Sequence, residues 1–275
     1  MKYSINLDYF TTQLKWDIEH IAPVISKAGF TALDYTPDLS SVNWKEQAYL
    51  DLEVCKKNGL KIHQTHAPYN RYGQWGKDEY LVALERAYEI TKIFGAKYMV
   101  VHGDEYDFEN NAFSEEKAIA YNYELFAPYV EKGIKDNIDI AFETVFQDLT
   151  PDKVRYCSKF DELKGLIEKY NSENVCCCWD LGHAQLAFGD EHADKIRAMG
   201  KHIKCTHIHD NYYGKDLHLP LFMGNIDLKA CKMAFDDIAY EGDYSLEIVY
   251  GNIPKSLTDN FIKYLYESLV LFTTI

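Results

Sequence analysis

No two glycines in this 275-residue sequence stand two positions apart, and G-x-x-x-x-G-K does not occur. Dinucleotide-binding turns and P-loops need those spacings so that the backbone can approach a phosphate, so neither is present. The seven cysteines include no C-x-x-C, their number is odd, and Cys176, Cys177 and Cys178 are adjacent. A disulfide framework and a zinc ribbon are therefore excluded, and a reduced, cytoplasmic protein is expected. Basic residues are scarce: 29 Lys and Arg face 43 Asp and Glu, a formal charge of −14, with four arginines. Such a field repels a polyphosphate backbone, so nucleic acid is not an expected partner. No apolar run approaches the ~18 residues of a membrane span, and the opening MKYSINLDYF has no signal-peptide core. Nothing in the sequence opposes assembly into a homo-oligomer.

What is present is alternation. Short β-rich runs stand at Tyr3 to Asn6, Thr31 to Asp34, Lys61 to His66, Tyr98 to His102, Ile138 to Glu143, Val175 to Asp180, Ile203 to His209 and Tyr244 to Glu247. Between them lie amphipathic stretches at Trp16 to Ala28, Trp44 to Asn58, Asp78 to Phe94, Ser114 to Lys132, Asp161 to Tyr170, His192 to Met199, Leu228 to Tyr240 and Leu257 to Phe272. Ala28-Gly29, Asn58-Gly59 and Phe94-Gly95 supply glycine where a helix ends in the left-handed conformation. Strict βα alternation implies parallel strands, and eight such units close a barrel. No linker or low-complexity tract interrupts residues 1–275, so the expected fold is α/β, a single-domain (β/α)8 TIM barrel. A doubly wound open sheet, the competing arrangement, lacks its glycine-rich turn.

The strand ends carry the chemistry. His66 closes the third candidate strand, His102 the fourth, Glu143 the fifth, Asp180 the sixth, His207 and His209 the seventh and Glu247 the eighth. Taken singly, each is ordinarily a hydrogen-bonded loop residue. In a barrel all these ends converge on one mouth, and an acidic cluster gathered there without a cation would suffer repulsion and desolvation, so the set points to a metal.

The runs HAPY (His66 to Tyr69), FETV (Phe142 to Val145), WDLGHA (Trp179 to Ala184), HIHDN (His207 to Asn211), DLHLPLFMGNID (Asp216 to Asp227) and LEI (Leu246 to Ile248) resemble, in order, the xylose isomerase-like barrel superfamily. That group joins sugar and sugar-phosphate isomerases and epimerases with apurinic endonucleases of the endonuclease IV type. The resemblance implies one divalent ion held by Glu143, Asp180, His207 and Glu247. His209 competes with His207, and the H-x-x-D pattern of His207 and Asp210 selects His207. His183 corresponds to a substrate-binding histidine in epimerases and a metal ligand in the endonucleases. His66, His102, Asp216 and His218 are then expected to bind substrate.

Three carboxylates and one imidazole suit Mn²⁺ first, with Mg²⁺, Co²⁺ or Zn²⁺ accommodated. Such an ion can chelate a sugar carbonyl and its neighbouring hydroxyl and stabilise an enediolate, while Glu143 and Glu247 act as base and acid. The activity implied is isomerisation or epimerisation of a small sugar, sugar phosphate or related polyol-ketone. Competing activities are an apurinic endonuclease with several zinc ions, whose full ligand set would be His66, His102, Glu143, Asp180, His183, His207, Asp216, His218 and Glu247, an inosose-type dehydratase, and a barrel that binds without turnover. Tyr69, Tyr72 and Trp75 could form a lid that packs on a sugar ring or a cover for the barrel rim, and Arg71 and Lys215 are the evident mouth-loop cations. The run Cys176 to Cys178 reads as packing on both faces of a strand.

Overall fold

The computed structural model describes residues 3–71, 74–104, 114–147, 154–212, 214–249 and 253–275. Seven strands alternate with helices before the chain forms a hairpin and an eighth barrel strand. They are β1 (Tyr3–Asn6), α1 (Ile18–Ala28), β2 (Ala32–Tyr35), α2 (Trp44–Lys57), β3 (Lys61–His66), α3 (Lys77–Phe94), β4 (Tyr98–Val101), α4 (Glu115–Asp136), β5 (Asp139–Glu143), α5 (Phe160–Tyr170), β6 (Val175–Asp180), α6 (Leu181–Phe188), α7 (His192–Met199) and β7 (Ile203–His207). The antiparallel hairpin β8 (Asp210–Tyr212) and β9 (Lys215–Leu219) follows, then α8 (Leu228–Asp237), β10 (Tyr244–Leu246) and α9 (Thr258–Phe272). The eight long-range strands pair in parallel in the order β10-β1-β2-β3-β4-β5-β6-β7. The last seam closes through one bridge, where Ile208 N–H donates to Ser245 O at 2.7 Å and Glu247 N–H to Ile208 O at 3.1 Å. The result is a (β/α)8 barrel whose closing bridge joins Ile208, one residue past β7, to Leu246 at the end of β10.

Two-residue alternation decides what faces the barrel axis. In β5, Ile140 and Phe142 join the main core between sheet and helices, while Ala141 joins a separate small cluster with Val100, Cys176, Cys178 and Cys205. In β6, Cys177 and Trp179 belong to the outer core. The thiols thus pack on both faces of the strand, as the sequence suggested. Carrying the inner parity forward brings Glu143, Asp180 and His207 to the axis at the top of their strands, and His102 one residue past β4.

The expected strands are found, with edges moved by a residue or two. Glycine supplies the left-handed helix exits expected at Gly29, Gly59 and Gly95. At Gly29 the requirement is double: φ is +118°, and a Cβ would sit 2.5 Å from the Tyr266 ring. Among the elements not anticipated are a π-helical turn at Tyr9–Gln13, helix α6 directly after β6, and the β8–β9 hairpin. Helix α6 starts at Asp180 itself, whose side chain accepts from His183 N–H and so caps the helix from the strand's last position. Among the described residues no helix is long and apolar enough to cross a membrane.

The loop after β4 is pinned by Asn122 of α4. Asp104 N–H donates to Asn122 Oδ1 at 2.6 Å, and Asn122 Nδ2 donates to Asp104 O at 2.8 Å. Asn122→Leu removes both of these hydrogen bonds to the Asp104 backbone in a buried place. Urea unfolding should show a loss of about 2–4 kcal/mol, and an unchanged midpoint would contradict this account of the loop.

Candidate metal centre at the barrel mouth

Glu143 is the hub of the mouth. It is 1% exposed. Its Oε2 lies 3.0 Å from both His66 Nε2 and His102 Nε2, and its Oε1 lies 3.2 Å from His207 Nδ1 and 3.3 Å from His183 Nδ1. Burial alone would raise this carboxyl, but His207, His102 and His183 hold it well below the usual range. Around it, single ligand atoms of Glu143, Asp180, His207 and Glu247 lie within 4.8 Å of one another. The four residues expected at a central ion are therefore brought together.

Each side chain is aimed by a partner on its far side. His207 Nε2 stands 2.9 Å from Asp34 Oδ2, an ion-pair contact that holds this edge of the ring, and Nδ1 is left facing Glu143 and Glu247. This is the carboxylate–histidine arrangement that orients a metal ligand. Asp34, fully buried at β2, is also held by Gln64 Nε2 at 3.1 Å. Asp180 Oδ1 accepts from His183 N–H at 2.6 Å and is 3.0 Å from His209 Nε2, and its Oδ2 lies 4.0 Å from His207 Nδ1. Two central atoms, His207 Nδ1 and Glu247 Oε2, are buried without a hydrogen-bond partner and stand 3.4 Å apart. Without a metal, Glu247 and Glu143 hold His207 protonated against its burial; once that proton is lost, Nδ1 and Glu247 Oε2, both buried and otherwise unsatisfied, form the donor pair a divalent cation takes, so these residues fit one.

The remaining histidines form two flanking groups. His66 Nδ1–H donates to Ala67 O at 2.8 Å, and its Nε2 faces Glu143 Oε2 at 3.0 Å, so in the metal-free protein the charged ring donates from both nitrogens. His102 is set the opposite way: Arg155 Nη2 donates toward its Nδ1 at 3.3 Å, so Nε2 carries the hydrogen and gives it to Glu143. Tyr69 stacks on the His102 ring at 4.9 Å. On the other side lie His183, His209, Asp216 and His218, another group with ligand atoms within 4.8 Å. Asp216 is 3.5 Å from His183 Nε2 and 3.3 Å from His218 Nε2, and the His209 and His218 rings stack at 3.9 Å. Gly182 makes this packing feasible, because a Cβ there would fall 1.9 Å from His209 Cε1.

Every expected site residue thus reaches the mouth, and His209, the competitor of His207, joins the flanking group because the chain leaves β7 after His207. Asp34 and Arg155 were missed. An aspartate inside the apolar run TALDY was the available signal for the first; Arg155 follows a loop and carried none. Lys215 is exposed at the start of β9, whereas Arg155 is a buried cation at the mouth. Tyr72 lies outside the described residues.

A family model described as a xylose isomerase-like TIM barrel matches residues 23–267. The chain is 23% identical to the uncharacterized protein y4fM of Sinorhizobium fredii (strain NBRC 101917 / NGR234), covering 90% of this chain and 87% of that one. Over a shorter stretch, 46% of this chain and 45% of the relative, it is 32% identical to "Probable endonuclease 4" of Mycoplasma mobile (strain ATCC 43663 / 163K / NCTC 11711). Among solved structures, the IolI protein with a bound zinc atom aligns with a TM-score of 0.81 at 18% identity, over 100% of this chain and 98% of that one. The apo 3-keto-D-glucoside 4-epimerase YcjR from E. coli aligns at 0.74 and 15% identity over the whole of both chains.

Two outcomes follow from this geometry. Asp34→Ala removes the carboxylate that turns His207 Nδ1 inward, and divalent-ion affinity measured by calorimetry should fall about 10- to 100-fold; unchanged affinity would contradict the assigned orientation. In chelator-treated protein, burial acts to lower His66, but its hydrogen bond to Glu143 prevails and raises it from 6.5 to about 9. Burial likewise opposes His218, which Asp216 raises to about 9. Charged histidines retained by the fold stabilise it fully below about pH 6.5, and this is lost as pH rises through about 9. The urea midpoint of the chelated protein should fall across that window, and a midpoint that rises would contradict the pairing.

Proposed function

The chain belongs to the xylose isomerase-like TIM barrel family, and from that membership and the centre of its mouth we propose a divalent-metal-dependent isomerase or epimerase of a carbohydrate, with one ion between Glu143, Asp180, His207 and Glu247. The observation that carries this reading is the unsatisfied pair His207 Nδ1 and Glu247 Oε2, framed by Glu143 and Asp180. Three carboxylates and one imidazole favour Mn²⁺ and accommodate Mg²⁺, Co²⁺ or Zn²⁺. When bound, the ion supplies polarisation of a carbonyl and stabilisation of the negative charge left on neighbouring oxygens as the adjacent carbon is deprotonated.

The proton belongs to the chain. Glu143 is held ionised by its imidazoles, so it can accept a proton from carbon, and Glu247 can return one. Opposite-face return gives epimerisation; transfer between adjacent carbons on one face gives isomerisation. His66, His102, His183, Asp216 and His218 ring this centre as partners for substrate hydroxyls. Seven free thiols fit a reducing, cytoplasmic setting.

A second reading, phosphodiester hydrolysis with several zinc ions, draws support from the flanking groups His66, His102, Glu143 and His183, His209, Asp216, His218, and from the partial likeness to endonuclease 4. Arg155 weighs against it. A histidine that accepts at Nδ1 from a guanidinium keeps its hydrogen on Nε2, and so offers no lone pair there to an ion. The net charge of −14 also opposes DNA.

Glu143→Gln and Glu247→Gln should each lower turnover by about 10²- to 10⁴-fold, with the far-UV circular dichroism unchanged. Wild-type-like turnover in either variant would remove that residue from the proton-transfer role. Incubation with ketohexoses, ketopentoses, their phosphates and inosose in deuterated buffer should place deuterium on the carbon beside the carbonyl of the true substrate. Unlabelled carbon in a substrate that is turned over would overturn proton abstraction.

A further inference from the structure

The mouth does not end at the carboxylates. From His66 a cleft of about 920 Å³ runs outward past the segments that follow β1 and β2 and along a largely exposed side of α2. A hexose displaces roughly six waters, about 200 Å³ at ~30 Å³ each, so the cleft exceeds a single sugar several-fold. Its walls are aromatic and apolar to a large degree, with Trp16, Trp75, Tyr69, Pro37 and Leu39 among them. Such surfaces take the faces of sugar rings and aryl groups.

The walls are also built. Trp16 stacks on Phe10 with centroids 5.9 Å apart, and Trp75 N–H donates to Asn70 Oδ1 at 2.9 Å. Arg86 Nη1 donates to Leu39 O at 2.6 Å. At the floor, buried Asp51 accepts from Tyr35 Oη–H and from Gln47 Nε2 at 2.8 Å, so its charge is already met. The lining carries two lysines, Lys15 and Lys57, against five carboxylates. A cleft of that sign disfavours phosphate chains and carboxylates and accepts neutral groups.

We propose that the substrate is a neutral glycoside whose reacting ring lies at Glu143 and Glu247 and whose second part, another sugar or an apolar aglycone, lies in this cleft. The assignment of the reacting end rests on the isomerase or epimerase reading; the cleft's preference stands on its own lining. Recognition therefore splits. The metal centre reads a carbonyl and hydroxyl, and the β1–β3 side reads what is attached to the ring.

Tryptophan fluorescence titration of the chelator-treated protein with glucose, cellobiose and phenyl β-D-glucoside tests this without turnover. Cellobiose and the phenyl glucoside should bind about tenfold more tightly than glucose, the gain that one aromatic stacking contact of ~1.4 kcal/mol supplies. Trp75→Ala should remove that advantage while glucose still binds, and Ser40→Trp, which fills the cleft, should do the same. Equal affinities for glucose and both glycosides, failure of both glycosides to bind at tens of millimolar, tighter binding of a single-stranded oligonucleotide, or an advantage that survives both substitutions would each overturn the proposal. Deuterium exchange that fails on every sugar while the glycoside preference holds would remove the isomerase reading and leave the cleft's ligand class standing.

Discussion

A carboxylate taken out of water must be met by positive charge or hydrogen bonds, and Glu143 is met by four imidazoles at 3.0 to 3.3 Å. Those imidazoles come from β3, the end of β4, the start of α6 and the end of β7, so one buried charge ties together elements that are distant in sequence. Satisfying it requires the whole barrel to be closed and in register. The closing bridge between Ile208 and Leu246 sits beside the same centre and sets Glu247 against His207. Fold and site are therefore one electrostatic problem: the strand ends that would repel or waste one another when apart are compatible only around a shared cation or shared protons.

The partners behind these side chains divide the labour. Asp34 holds His207 so that Nδ1 faces inward, and the Ala67 carbonyl turns His66 Nε2 to Glu143, while Arg155 fixes the tautomer of His102 by donating to Nδ1. Residues of identical type at neighbouring strand ends thus take different roles according to what stands behind them. The same logic separates His207 from His209, since a two-residue step past the end of β7 carries the second ring to Asp180 and His218 instead.

Much of this was legible in the sequence, for a physical reason. Parallel barrel strands are short and apolar, so a polar residue closing one is conspicuous, and Glu143, Asp180, His207 and Glu247 could be picked out before any coordinates. What escaped were features that depend on three-dimensional neighbours. Asp34 looks like an ordinary end to TALDY until His207 arrives from 173 positions away, and Arg155 gains its meaning only beside His102. Helix α6 was overlooked because its N-cap is Asp180, a residue already counted as the end of a strand. The β8–β9 hairpin brings Asp216 and His218 to the mouth from a stretch with no strong strand pattern.

The central claim is that one ion, bound by Glu143, Asp180, His207 and Glu247, serves this mouth while the flanking histidines remain free for substrate. Metal content by inductively coupled plasma mass spectrometry on untagged protein, repeated on His66→Ala and His218→Ala, reads this directly. The account predicts about one divalent ion per chain in all three proteins. About three zinc ions per chain, falling in both variants, would contradict it and favour the hydrolytic cluster.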